Sequence, residues 1–165
     1  MKRSLILSIA FFLFLFKLSY SQSYDFDLQD LDGNSVKLSQ MLAKGPVLLQ
    51  FWATWCVPCK EEMKQINAIW EKYKDSGFGY IAVSIDDQKT YSKVKPYIES
   101  KGYKFTVVYD ADQNVFKTFG GQDPPFSVLI SKTGDIIKTY AGFLPGDDAK
   151  LDEDVKGALG DKGKN

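Results

Sequence analysis

The chain has 165 residues, 44% apolar and 25% charged, with 21 basic and 21 acidic side chains and so no formal net charge. That length and composition fit one globular domain with its own core, and the charge balance argues against a polyanionic partner such as nucleic acid. There is no histidine, which excludes Ser-His and Cys-His catalysis and imidazole-based metal centres.

The first element is an apolar run. MKRS gives a short basic start, LILSIAFFLFLF fills residues 5–16, and KLSYSQS follows. That order describes a secretory signal. As a helix the run would reach about 18 Å, short of the ~30 Å hydrocarbon core of a bilayer. Ser19 and Ser21 suit a cut between Ser21 and Gln22, so residues 1–21 read as a signal peptide, with an uncleaved membrane anchor as the alternative. No cysteine lies there to carry a lipid. Cleavage would remove Lys2, Arg3 and Lys17 and leave 18 basic residues against 21 acidic ones, a net charge of −3. Export places the chain where thiols tend to be oxidised. A vicinal pair there is a disulfide unless an electron donor keeps it reduced.

From Tyr24 the pattern is α/β. YDFDLQDLDGNSVKL predicts two short strands around a turn at Asp32-Gly33. GPVLLQFWA, residues 45–53, is a continuous apolar run, as in a strand covered on both faces. PCKEEMKQINAIWEKYKDSG then turns helical: Met63, Ile66, Ile69, Trp70 and Tyr73 recur at spacings of three and four, and Gly77 is a stop signal. Residues 79–86, GYIAVSID, form another buried strand. YSKVKPYIESKG predicts a second helix, with Pro96 in its first turn or at a kink. KFTVVYD is a strand and NVFKTFG a short helical turn. PFSVLISKTGDIIKTYAGF reads as a hairpin through Thr133, Gly134 and Asp135. A last helix runs from Asp147 to about Leu159, and residues 161–165 read as a frayed tail. The expected domain, residues 22–160, is a central mixed sheet with helices on both faces and an N-terminal β extension.

The only two cysteines, Cys56 and Cys59, lie in FWATWCVPCKEE. As a staple they would close a loop of about four residues, worth about 2 kcal/mol in chain entropy, which a domain of this size does not need. As metal ligands they supply half of a tetrahedral zinc site, with no histidine to complete it. As a redox pair they fit their position, because a buried strand ends near Ala53 and a helix begins near Cys56. Unpaired N–H groups and the positive dipole end favour a thiolate there and lower a cysteine pKa into the range of about 3.5–7.5. Pro58 suits a first turn, and Trp55 is placed to shield the pair from one side. Cys56 is therefore assigned the attack on a substrate disulfide, and Cys59, one turn further in, the resolution of the mixed disulfide. Phe51, Trp52 and Trp70 read as core. Phe126 reads as packing, and Lys60 as part of a solvated helix face.

FWATWCVPC resembles the active-site segment of the thioredoxin superfamily, in its exported TlpA/ResA-like branch. LDGNSVKLSQMLAKGPVLLQFWATWC, GYIAVSIDD and YKFTVVYDADQNVFKTFGGQDPPFSVLISKTGDII extend the similarity over about residues 24–142. The resemblance implies a thioredoxin-like fold and an exported thiol–disulfide oxidoreductase that needs no cofactor. It implies protein disulfides or dithiols as substrates and a membrane electron donor as partner. A reductase is the favoured direction, for example of apocytochrome c thiols during haem attachment. It also implies that Pro125 is a cis-proline facing the cysteines, whose loop backbone would pair with substrate. Three positions depart from the family pattern. Gln50 stands where thioredoxin has a buried acid, and Val57 where some relatives have glutamate, so the proton acceptor for Cys59 is left to water or to Glu62. Pro124 stands where relatives often have threonine or a β-branched residue, which removes one backbone donor from the substrate loop.

Two rival functions remain at this point. A peroxiredoxin-type thiol peroxidase would use P-x-x-x-T-x-x-C, but Thr54 is only two residues before Cys56, and Gln50 stands at the place of the proline. A non-catalytic exported binding module, for copper or a protein, is weakened in its copper form by the missing histidines.

Overall fold

The computed structural model describes residues 24–160. The expected signal peptide at 1–21 and tail at 161–165 lie outside the described residues. Among those described, no helix is long and apolar enough to cross a membrane.

Two three-residue strands, β1 (Asp27–Gln29) and β2 (Ser35–Lys37), pair antiparallel around the Asp32-Gly33 turn. Asp30 holds that turn, accepting from the backbone N–H of Asp32 and of Asn34, each at 2.8 Å. Helix α1 (Leu38–Leu42) follows directly. It was not expected from the sequence: five residues with a single buried anchor, Leu38, are too few for a periodic signal.

The main sheet has the order β5-β4-β3-β6-β7. Its middle strand is β3 (Val47–Trp52), parallel to β4 (Gly79–Ser84) and antiparallel to β6 (Phe126–Ile130). β5 (Thr106–Tyr109) extends the parallel side and β7 (Ile136–Ala141) the antiparallel side. Every residue of β3, β4 and β6 is buried, which is why these segments read as unbroken apolar runs. β7 at the edge has no buried residue.

The helices are α2 (Val57–Tyr73), α3 (Val94–Lys101), α4 (Asn114–Thr118) and α5 (Asp147–Gly160). Pro96 lies in the first turn of α3, which a 3-10 turn at Tyr91–Lys93 precedes. Successive strand residues point to opposite faces. Gln50 meets Glu62 of α2, and Trp52 meets Tyr97 of α3 on the same side of β3. Tyr140 of β7 bonds Asp154 of α5. Phe51 points the other way, against Phe116 of α4 and against Phe119 and Phe126.

Gly77, with φ +94°, ends the helical run: it caps the 3-10 turn Lys74–Ser76 that follows α2. It also comes against Gly45 at the entry to β3: a Cβ on Gly45 would sit 2.3 Å from the Gly77 carbonyl oxygen. This contact fixes the far end of β3 and α2, and the cysteines lie at their near end.

Candidate active site

β3 ends at Trp52 and α2 begins at Val57, so four residues carry the chain from a buried strand onto a helix. Cys56 is the N-cap of α2: its backbone is extended and its Sγ accepts from the Cys59 N–H at 3.3 Å. Its own N–H donates to the Ala53 carbonyl at 3.0 Å. Cys56 and Cys59 are joined as a disulfide. The two sulfurs differ in access, since Cys56 is 5% exposed and Cys59 0%. Pro58 sits in the first turn of α2, where a missing N–H costs nothing. The expected cap position, proline position and difference in burial are all present.

Around the pair the surface is apolar. Trp55 is 59% and Val57 68% exposed. The Pro124–Pro125 peptide bond is cis, the geometry that the family resemblance implied. Immediately after it, Phe126 begins β6 opposite Phe51. The Pro125 carbonyl accepts from the Gly142 N–H at 2.9 Å, so the loop is tied to the strand beside it. Lys60 is not free in solvent: its Nζ lies 5.1 Å from the centre of the Tyr97 ring. Phe51 and Trp52 are fully buried core, while Trp70 is partly buried against it.

Beneath the disulfide lies a buried polar network that composition could not reveal. Gln50 Nε2 donates to the Cys59 carbonyl at 3.1 Å and to Glu62 Oε2 at 2.6 Å. The Tyr80 hydroxyl donates to Gln50 Oε1 at 2.6 Å. Ser127 Oγ donates to Glu62 Oε1 at 2.9 Å. Glu62 is 3% exposed, and Gln50, Ser127 and Tyr80 are equally hidden. Burial pushes the Glu62 carboxyl up to about 7. The bonds from Gln50 and Ser127 oppose that rise, and the charge of Asp147 adds to it. A carboxyl poised near neutrality can take and return a proton under ordinary conditions. Gln50 cannot, but it ties the Cys59 backbone to the group that can.

Sequence reasoning named Glu62 as one of two possible acceptors and missed the rest. The signal was present in hindsight. Glu62 is three residues after Cys59, on the same helix face, and that face is the apolar one. Gln50, Tyr80 and Ser127 each interrupt or end an apolar strand.

A second carboxylate holds the loop before Cys56. Asp86 is fully buried and accepts from Thr54 twice, from N–H at 2.9 Å and from Oγ1 at 2.5 Å, and from Ser84 Oγ at 2.9 Å. Thr54 is therefore a loop anchor whose hydroxyl proton is engaged by Asp86, which is not the arrangement of a peroxidase threonine serving the cysteine.

The profile of the redoxin family matches residues 21–155. The chain belongs to the redoxin family. Among its relatives, the thiol-disulfide oxidoreductase ResA of Bacillus thuringiensis (strain Al Hakam) is 37% identical over 118 residues, 72% of this redoxin. This redoxin spans 66% of that relative's length. The ResA of Bacillus subtilis (strain 168) is 33% identical over 124 residues, 75% of this chain and 68% of the relative. The crystal structure of a Chlorobium tepidum protein provisionally named thiol:disulfide interchange protein DsbE superposes with a TM-score of 0.75 at 32% identity. It covers 82% of this chain and 93% of the other. The fold of this redoxin is thioredoxin-like, as the resemblance implied, and its mixed sheet is what the order of elements implied.

Proposed function

We propose that this chain is an exported thiol–disulfide oxidoreductase acting through Cys56 and Cys59. The observation that carries this reading is the pair itself: one sulfur, 5% exposed, caps a helix, and its partner is fully buried one turn on, above a carboxyl poised near 7. The ResA relatives support the same activity.

In the reducing direction Cys56, as thiolate, attacks a substrate disulfide. A Cys56–substrate disulfide forms, and the other substrate sulfur leaves as thiolate. Cys59 then gives its proton to Glu62 and attacks the Cys56 sulfur. The Cys56–Cys59 disulfide forms, and the second substrate sulfur leaves, so two electrons have passed to the substrate. The N-cap site favours the Cys56 thiolate, and burial disfavours a thiolate at Cys59 until Glu62 accepts its proton. The loop at Pro124 and cis-Pro125 would align an extended stretch of substrate beside Cys56, with Trp55 forming one wall. No resident cofactor is needed, because the sulfurs hold the electrons.

The N-terminal segment supports secretion to the periplasm or another extracytoplasmic space, by a cleaved signal or on an anchor. A reductase there must be recharged, so a membrane electron donor is the implied partner. Apocytochrome c dithiols during haem attachment are the substrate class that the ResA likeness favours.

Reduction of insulin disulfides by the chain, with a chemical reductant to recharge it, tests the reading. Wild type turns over and Cys56→Ser does not. Cys59→Ser should accumulate mixed disulfides with its substrates. A Cys59→Ser protein that forms no adducts while Cys56 remains alkylatable would show that the two roles are wrongly assigned.

A further inference from the structure

We infer that the Ser127 hydroxyl reverses its hydrogen bond when Glu62 changes protonation state, which makes Ser127 a positioning residue for the proton step. The inference deepens, and for its catalytic meaning rests on, the reading that Glu62 accepts the Cys59 proton.

The geometry favours one place for that proton. Gln50 Nε2 has two hydrogens. One points to the Cys59 carbonyl and the other to Glu62 Oε2. The carbonyl can only accept, so the amide cannot turn its oxygen toward it, and the Tyr80 hydroxyl holds Oε1 from behind. Gln50 Nε2 can only donate, so a hydrogen carried on Oε2 would find no acceptor among these partners. A protonated Glu62 finds an acceptor only from Oε1. That atom faces Ser127 Oγ at 2.9 Å. The hydroxyl donates to the carboxylate; once Oε1 carries the hydrogen, turning to accept it satisfies the buried O–H. A hydroxyl can do either by rotating about its C–O bond, with no movement of β6. Ser127 lies opposite Gln50 in the β3–β6 register, so the fixed donor and the reversible partner grip the two oxygens from adjacent strands.

The ionisable groups facing Glu62 are few. Asp147 at the start of α5 opposes its ionisation. The Tyr80 phenol on β4 is held neutral by burial. On α2, Cys59 titrates only once the disulfide is reduced, so measurement on the disulfide form isolates the carboxyl.

The test is ¹³C NMR of the Glu62 side-chain carboxyl in the oxidised full chain, with its signal identified by its loss in Glu62→Gln. Ser127→Ala removes a donor from the ionised form and a weaker acceptor from the protonated form. Its midpoint should rise by about one pH unit, while Ser127→Thr should keep the wild-type midpoint. In wild type, with no variant needed, the Ser127 hydroxyl proton should resonate downfield above the midpoint and move upfield below it. An unmoved midpoint in Ser127→Ala, or a hydroxyl resonance that ignores the titration, overturns the inference. A separate measurement addresses the reading beneath it. If Glu62→Gln leaves the pH profile of disulfide exchange unchanged, Glu62 is not the acceptor, whatever Ser127 does.

Discussion

Gln50 and Ser127 face each other across the β3–β6 ladder, and both donate to the carboxylate of one residue, Glu62. The strands are buried along their whole length. These two polar residues are therefore hidden in a region built for apolar packing, where an unsatisfied polar group costs about 1–3 kcal/mol. They are satisfied through Glu62, and so the core and the site share one network.

Glu62 makes stability depend on pH. In the unfolded chain its carboxyl ionises near 4.5, and in the fold it holds its proton up to about 7. The folded state binds the extra proton, so the contribution is fully present below pH 4.5 and is lost as pH rises through 7. Between pH 5 and 8 wild type should lose about 2 kcal/mol of stability through this group. Glu62→Gln, which resembles the protonated form, should lack that part of the slope. Urea denaturation of both proteins at the two pH values measures it, and parallel slopes would refute the assignment.

Asp86 should matter through Thr54. Thr54→Val keeps the shape of the side chain and deletes the hydroxyl donor to a buried carboxylate. Stability should fall by about 1–3 kcal/mol, and Thr54→Ser should restore most of it. Chemical denaturation of the disulfide form reads both.

Two glycines should respond with opposite signs. Gly45→Ala places a methyl 2.3 Å from a backbone oxygen, so backbone must shift, at a cost of about 1–3 kcal/mol. Gly157→Ala in α5 meets nothing within 4 Å and should gain about 0.5–1 kcal/mol from helix propensity. Thermal unfolding midpoints of the two variants should lie on opposite sides of wild type.

Much of this architecture was legible because its signals are local. The apolar runs at 45–53 and 79–86 read as strands covered on both faces, and the three- and four-residue spacing from Met63 to Tyr73 as a helix. The cap at Cys56 followed from where those two patterns meet. The cis bond at Pro125 came from family likeness alone, since nothing in the dipeptide Pro124-Pro125 demands it. The polar network was legible only member by member, never as a network. Gln50, Glu62, Tyr80 and Ser127 are scattered over 78 positions and come together only through strand register and the face of α2. Helix α1 was too short for periodicity, and Asp86 read only as the last residue of a buried strand.

The central claim is that the two sulfurs are electrostatically different. Alkylation rates of each thiol in the reduced chain, followed from pH 4 to 10 with the sites separated by mass spectrometry, test it directly. Cys56 should reach its half-maximal rate well below the ~8.5 of a free cysteine, and Cys59 should react only above that value. Two coincident profiles near 8.5 would contradict the account.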